Sequence, residues 1–309
     1  MSTLSPIFIL GSPRSGTTLF SLILKQNPEI AIPYESHFIV PVFDKWKSVD
    51  DADFPKVRAT ILKEIITSKY VADWHPEISI DQIDLHQCHD LGTLINEVFM
   101  TYAKNAEKQR WADKTPGYLT HADILHHLFP NSKFIHLVRD GRDVSLSLLK
   151  THFGPNNFLT ALQHWERKVA VARKMLAMLD PNQHIQIRYE DLIASPQVTM
   201  EQVSHFLDLE FHPEMLENFS QEAKARVGDR IHTHHSNLLQ PLNASSCERW
   251  KRELGRADQH LAWNIAGTQL EQLGYDRGKH CPFIPREFRR ALHRCKASYG
   301  WWRNARKKD

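Results

Sequence analysis

Ile7-Phe8-Ile9-Leu10-Gly11-Ser12-Pro13-Arg14-Ser15-Gly16-Thr17-Thr18-Leu19 is the stretch whose reading decides the fold. Four apolar residues read as a buried strand, a glycine-bracketed turn follows, and a helix is predicted from near Thr17 through Leu24. A strand feeding a tight turn and then a helix is the layout of a phosphate-binding loop, in which backbone N–H groups and the helix N-terminus cradle an anion. Gly11 and Gly16 carry the Walker spacing, but Thr17 stands where a nucleotide triphosphatase has its lysine. The cation sits inside the loop instead, as Arg14. An ordinary strand-to-helix turn is the competing reading of the same residues.

Working outward, four short apolar segments read as strands: Ile7–Leu10, Arg110–Asp113, Lys133–Val138 and His184–Arg188. Ala31-Ile32-Pro33 offers a fifth extended piece. Helices are predicted between them over Phe54–Tyr70, Leu91–Lys104, Tyr118–Leu128, Val144–Thr151 and Phe158–Leu179, with apolar residues at helical spacing. The alternation implies an α/β fold, a three-layer sandwich around a mostly parallel sheet. Ligands of such sheets lie beyond the C-terminal strand ends, where Arg14, Lys114, Arg139 and Tyr189 all fall. Residues 38–108 interrupt the alternation with mainly helical sequence and read as an insertion over an acceptor cleft. Residues after about 211 read as helical and irregular. The whole chain, 1–309, is expected to be one domain.

Bulk properties narrow the class. The 309 residues are 41% hydrophobic and 24% charged, an ordinary globular balance. A net charge of +3 suits an anionic ligand without demanding nucleic acid as a partner. Cys88, Cys247, Cys281 and Cys295 form no Cys-x-x-Cys pair, which leaves no zinc ribbon or dithiol site to propose. The histidines of 86–90 and 232–235 lack closed-site spacing, so no metal is expected. With no apolar run near 20 residues and no visible signal peptide, the expected location is cytoplasmic. Residues 286–309 form a basic tail with an apolar face and Trp301-Trp302, suited either to an anionic membrane surface or to packing on the domain.

A second motif matches the first. Phe134-Ile135-His136-Leu137-Val138-Arg139-Asp140-Gly141-Arg142-Asp143-Val144-Ser145-Leu146-Ser147 is a strand, an arginine at its end and a serine eight residues on. Together with Pro13–Leu19, it resembles the pair of elements with which sulfotransferases hold 3′-phosphoadenosine 5′-phosphosulfate (PAPS). Trp111–Pro116, Arg188–Leu192, and Gln240–Asn243 with Arg249-Trp250 extend the resemblance over most of residues 6–252. Its flavour is that of the tyrosylprotein and bacterial branch.

The resemblance implies sulfuryl transfer from PAPS to an acceptor hydroxyl, leaving 3′,5′-ADP (PAP), with no metal required. It places Arg14, Ser15, Gly16, Thr17 and Thr18 on the 5′-phosphosulfate, and Arg139 and Ser147 on the 3′-phosphate. Tyr189 and Arg249 are expected beside the nucleotide, although a core tyrosine and a solvated helix arginine fit them nearly as well. Arg142 and Asp143 read as serving the helix start or a surface ion pair. Where the tyrosylprotein branch has a further arginine, this chain has Thr151.

Glu35, in Pro33-Tyr34-Glu35-Ser36-His37, takes the place of the family's general base, with a pKa expected to be raised by burial. The alternatives are that Glu35 caps the following helix, or that His37 is the base. Lys114 would join Arg14 in stabilising charge on the leaving group, or else be an exposed lysine before a turn. The acceptor class is left open among a glycan, a glycolipid, a tyrosine and a carrier-bound metabolite. The competing functions are a P-loop kinase or nucleotide triphosphatase, and a non-catalytic nucleotide-binding protein.

Overall fold

The computed structural model describes residues 5–151, 154–217, 219 and 244–278. The basic tail, the histidines of 232–235 and Gln240–Asn243 lie outside these residues. The chain falls into two compact units, Met1–Val138 with Val171–Asn243, and Arg139–Ala170 with Ala244–Asp309.

The first unit is built on a five-stranded sheet of β1 (Ile7–Gly11), β2 (Ile30–Ala31), β3 (Arg110–Asp113), β4 (Lys133–Val138) and β5 (His184–Arg188), in the order β2-β3-β1-β4-β5. Every pairing is parallel, with Phe8 opposite Asp113 and Phe134. β1 is central and buried along its whole length, which is why it reads as a continuous apolar run. The expected α/β architecture is therefore observed, with helices on both faces.

Between β2 and β3 lie α2 (Ile39–Trp46), α3 (Phe54–Ile66) and α4 (Leu91–Asn105), so residues 38–108 are helical as expected. They also build the main core. Phe99 of α4 stacks on Trp111 of β3 with centroids 4.2 Å apart, and Trp111 meets Phe8 of β1 edge-on at 5.6 Å. Phe38, Trp74 and Tyr102 extend this aromatic cluster. The segment thus supplies much of the apolar layer beneath the sheet.

Several helix boundaries differ from expectation for local reasons. α3 ends at Ile66, with Thr67 as its C-cap donating both its N–H (3.0 Å) and its hydroxyl (2.8 Å) to the Lys63 carbonyl. The span expected over Tyr118–Leu128 is a 3₁₀ turn (Pro116–Thr120) followed by α5 (Ala122–Leu128), broken by the non-helical His121.

In the second unit, α6 (Gly141–Leu148) starts three residues early because the Asp140 carboxylate accepts the Arg142 N–H at 2.9 Å as a cap. At its other end Thr151 donates its hydroxyl to the Leu148 carbonyl at 2.7 Å. α7 (Phe158–Leu176), which belongs to this unit through Ala170, carries Trp165, whose ring lies against Gly141. A small cluster of Leu146, Trp250 and Leu254, with Phe158 packed on it, forms an apolar nucleus in this unit. In the first unit, α8 (Tyr189–Ala194) and α9 (Pro196–Phe206) follow β5. No described helix is long and apolar enough to cross a membrane.

Trp111, 1% exposed and held by Phe8, Phe99, Phe129 and the Asn96 side chain, is the keystone of the first core. Trp111→Ala is expected to lower the unfolding free energy by about 3–5 kcal/mol, read from the urea midpoint. A loss under about 1 kcal/mol would show that the cluster refills the space.

Candidate active site

The loop after β1 is wound tightly. Ser15 donates its N–H to the Ser12 carbonyl at 3.0 Å, and both Arg14 (φ 72°) and Gly16 (φ 90°) lie in the left-handed region. Such residues curve the backbone into a concave turn whose amides face inward. Glycine is required at position 16 on two counts. Its φ suits glycine, and an added Cβ would stand 2.3 Å from the Tyr189 ring.

α1 (Thr17–Lys25) opens directly from Gly16 with no side-chain cap and no acid in its first turn. The amides that begin this helix are left for an anion. The Ser15 side chain is wholly buried, and its hydroxyl has no hydrogen-bond partner among the described residues. A buried polar atom without a partner inside a turn of this shape fits a bound oxyanion. Of the expected contacts, the Ser15 amide closes the turn, leaving the hydroxyl as that residue's contribution. Tyr189, 7% exposed, presses its ring on the loop and backs it.

At the tip of β3, Lys114 and Glu35 form an ion pair through Nζ and Oε1. The other Glu35 oxygen, Oε2, accepts from His37 Nε2 at 2.9 Å. Their side chains are 8% (Lys114), 21% (Glu35) and 35% (His37) exposed. Glu35 does not cap a helix, because α2 begins only at Ile39. Lys114 is buried, not the exposed lysine of the alternative reading. The expectation that burial would raise the Glu35 pKa is corrected. Burial does push it up, but the Lys114 charge and the hydrogen bonds from His37 and Lys114 outweigh that and hold it at about 2.

A buried chain of hydroxyls supports this cluster, and sequence reasoning missed it. Asp113 Oδ1 accepts from the Thr115 hydroxyl at 3.1 Å, and Thr115 Oγ1 accepts the Ser36 N–H at 3.0 Å. The Ser36 and Tyr118 hydroxyls lie 3.0 Å apart, and the Tyr118 hydroxyl accepts the Ile39 N–H at 2.8 Å, capping α2 from outside. Asp113 is fully buried, and desolvation lifts its pKa to about 6 against the pull of its Ser36 and Thr115 hydrogen bonds. The Asp113-Lys114-Thr115-Pro116 string was the visible signal, though only its lysine was singled out.

In the second unit, Arg139 is buried and its Nη2 donates to the Ser246 carbonyl at 2.6 Å. Ser147 is buried on α6. Arg142 and Asp143 serve the helix start and its packing, not the surface. Arg142 is fully buried, forks onto Asp140 at 2.7 and 2.9 Å, and lies 3.4 Å over the Trp250 ring. Asp143 accepts the Trp250 N–H at 2.8 Å. Burial and the nearby Asp140 charge raise its pKa to about 6. Arg249 forks onto Glu253 at 2.7 and 2.9 Å.

Comparison with known proteins fits this geometry. The sulfotransferase family profile matches residues 6–213. A protein-tyrosine sulfotransferase A from Caenorhabditis elegans is 22% identical, over 89% of this chain and 68% of that protein. The protein-tyrosine sulfotransferase of Drosophila melanogaster is 25% identical over 87% of this chain, which spans about half (51%) of that protein's length. The nodulation protein NoeE of Sinorhizobium fredii is 25% identical over 87% of this chain and 66% of its own. Among solved structures, the sulfotransferase domain from the curacin biosynthetic pathway has a TM-score of 0.61 at 22% identity, covering 90% of this chain and 99% of that one. The sulfotransferase domain of the Synechococcus PCC 7002 olefin synthase scores 0.59 at 20% identity, covering 89% and 97%.

The ion pair carries a signed pH dependence. Glu35 moves from 4.5 to about 2 on folding, so its charge stabilises the fold above about pH 4.5, and that contribution fades as pH falls toward 2. Lys114→Met is expected to lower stability by about 2–3 kcal/mol near pH 7, with the deficit shrinking toward pH 3. Denaturant titrations at both pH values measure it. An equal deficit at both would show the loss to be packing alone.

Proposed function

Because this chain belongs to the sulfotransferase family, we propose that it moves the sulfuryl group of PAPS onto an acceptor hydroxyl, forming a sulfate ester and PAP. The observation that carries the reading is the loop itself. α1 opens at Thr17 straight from a left-handed Gly16, with no lysine at the Walker position and with an unused buried hydroxyl on Ser15. A nucleotide triphosphatase needs that lysine on its phosphates. Here the cations stand on Arg14 within the loop and on Lys114 at the end of β3.

Each residue then has a task. The Ser15 hydroxyl, the helix-opening amides of Gly16, Thr17 and Thr18, and the two threonine hydroxyls would hold the 5′-phosphosulfate. Arg139 and Ser147 would bind the 3′-phosphate, the group that distinguishes PAPS from ATP, while Tyr189 supports the loop and Arg249 accompanies the nucleotide. PAPS brings a sulfuryl group already activated for displacement. The protein's share is to align the acceptor, to neutralise charge on the leaving phosphate through Arg14 and Lys114, and to take up the acceptor's proton at the Glu35–His37 pair. The acceptor is defined by this chemistry as a hydroxyl, and the tyrosine in the names of several relatives is one member of that class.

A melting scan tests the donor. PAP at about 100 times its dissociation constant is expected to add about 2.7 kcal/mol of stability. ATP at the same concentration is expected to add little, and Arg139→Ala should remove most of the PAP effect. A shift with ATP but none with PAP would favour a kinase or triphosphatase instead.

A further inference from the structure

We infer that Asp143 is a positioning residue of the nucleotide site. By holding the Trp250 N–H it fixes the stretch that carries the Ser246 carbonyl and Arg249, and through that carbonyl it sets the aim of Arg139. This inference rests on the sulfotransferase reading, which gives Arg139 the 3′-phosphate, and adds a residue outside the contacts of that reading.

The stretch is pinned at two points by residues at and just before the start of α6. Arg139 Nη2 donates to the Ser246 carbonyl at 2.6 Å, and the Trp250 N–H donates to Asp143 Oδ1 at 2.8 Å. All four residues belong to the second unit. Between the two points the backbone is irregular. A 3₁₀ turn covers Ala244–Ser246, and Glu248 lies in the left-handed region at φ 54°, uncommon for a residue with a Cβ. Such a conformation persists only where its surroundings over-determine it.

Packing alone does not account for the second pin. The Trp250 ring is already immobilised: it is buried, lies 3.4 Å under the Arg142 guanidinium and packs with Leu146 and Leu254. A Cβ added at Gly278 would stand 3.0 Å from the same ring. Asp143 is fully buried as well, yet its Oδ2 has no hydrogen-bond partner among the described residues. Burying a carboxylate is costly, and the bond from Trp250 is what offsets the cost here. The Trp250 N–H is the first of the short helix Trp250–Glu253, and Arg249 before it supplies no side-chain cap. The bond therefore acts on the backbone between Arg249 and Trp250, which the packing of the ring, several bonds away, controls little.

The consequence reaches Arg139 through the chain. Ser246 lies only four residues before Trp250. A guanidinium carries five N–H groups in one plane, so a bond from Nη2 to a fixed carbonyl sets the direction in which the others meet an anion. Without Asp143 the stretch is held at one end only, and the incoming 3′-phosphate must order Arg139 and the carbonyl together. That ordering is a cost on binding.

Titration calorimetry of PAP on the full chain tests the inference. Asp143→Ala is expected to raise the PAP dissociation constant about tenfold, the order of one charge-assisted hydrogen bond. Asp143→Leu, of similar size and without an acceptor, is expected to do the same and serves where the alanine variant does not fold. Asp143→Asn keeps an oxygen that can accept the Trp250 N–H and should bind PAP as the parent does. Leu254→Ala removes packing from the same apolar nucleus without touching the bond, so it should lower the melting temperature and leave PAP affinity at the parent's value. Parent-like affinity in both Asp143→Ala and Asp143→Leu, no recovery in Asp143→Asn, or an equal loss in Leu254→Ala overturns the assignment. A parent protein that binds ATP but not PAP would instead overturn the sulfotransferase reading.

Discussion

The arrangement at the end of β3 depends on one interaction: a lysine side chain only 8% exposed lies against a carboxylate. Glu35 is that anion, carried in from a segment 79 residues earlier in the chain. Once the pair forms, the chain around residue 35 is no longer free to wander, and the hydroxyl relay through Ser36, Thr115 and Tyr118 takes up the polar groups that follow. Asp113 closes the relay from below. Its raised pKa of about 6 is the local cost of burying a second carboxylate beside the first. The site is therefore a balance of desolvation against charge pairing, built on a strand tip that the parallel sheet holds in register.

The strands were legible from sequence because short segments bounded by turn and loop signals leave too little length for a helix. The spans Arg110–Asp113, Lys133–Val138 and His184–Arg188 coincide with the observed strands. Helix starts were less legible where they turn on a single side-chain bond, such as that from the Arg142 N–H to Asp140, which no periodicity encodes. Of the two readings of Arg142, the helix start holds and the surface ion pair does not, because Trp250, 108 positions later in the chain, lies under its guanidinium. In the site itself, the residue types were readable and the pairings were not. Glu35 and Lys114 were named separately, yet the sign of the Glu35 shift follows only from their contact.

Tyr189 shows how a buried residue can shape a loop from outside it. It is a core tyrosine by burial, and its ring sits where a Gly16 side chain would be. The loop's curvature thus depends on a residue that begins α8 just after β5, so the shape of the anion cradle is set by the sheet's far strand as well as by its own glycine. A loop braced in this way keeps its amides aligned before any ligand arrives, which lowers the ordering cost of binding.

Four of the described cations have partners within their own unit: Lys114 in Glu35, Arg142 in Asp140, Arg249 in Glu253, and Arg139 in the Ser246 carbonyl. An anion that binds must therefore compete with bonds already made. For a ligand bearing a single anionic group, the exchange of one charge-assisted bond for another gains little. Pairing at rest thus disfavours an anion that cannot replace the bond it breaks.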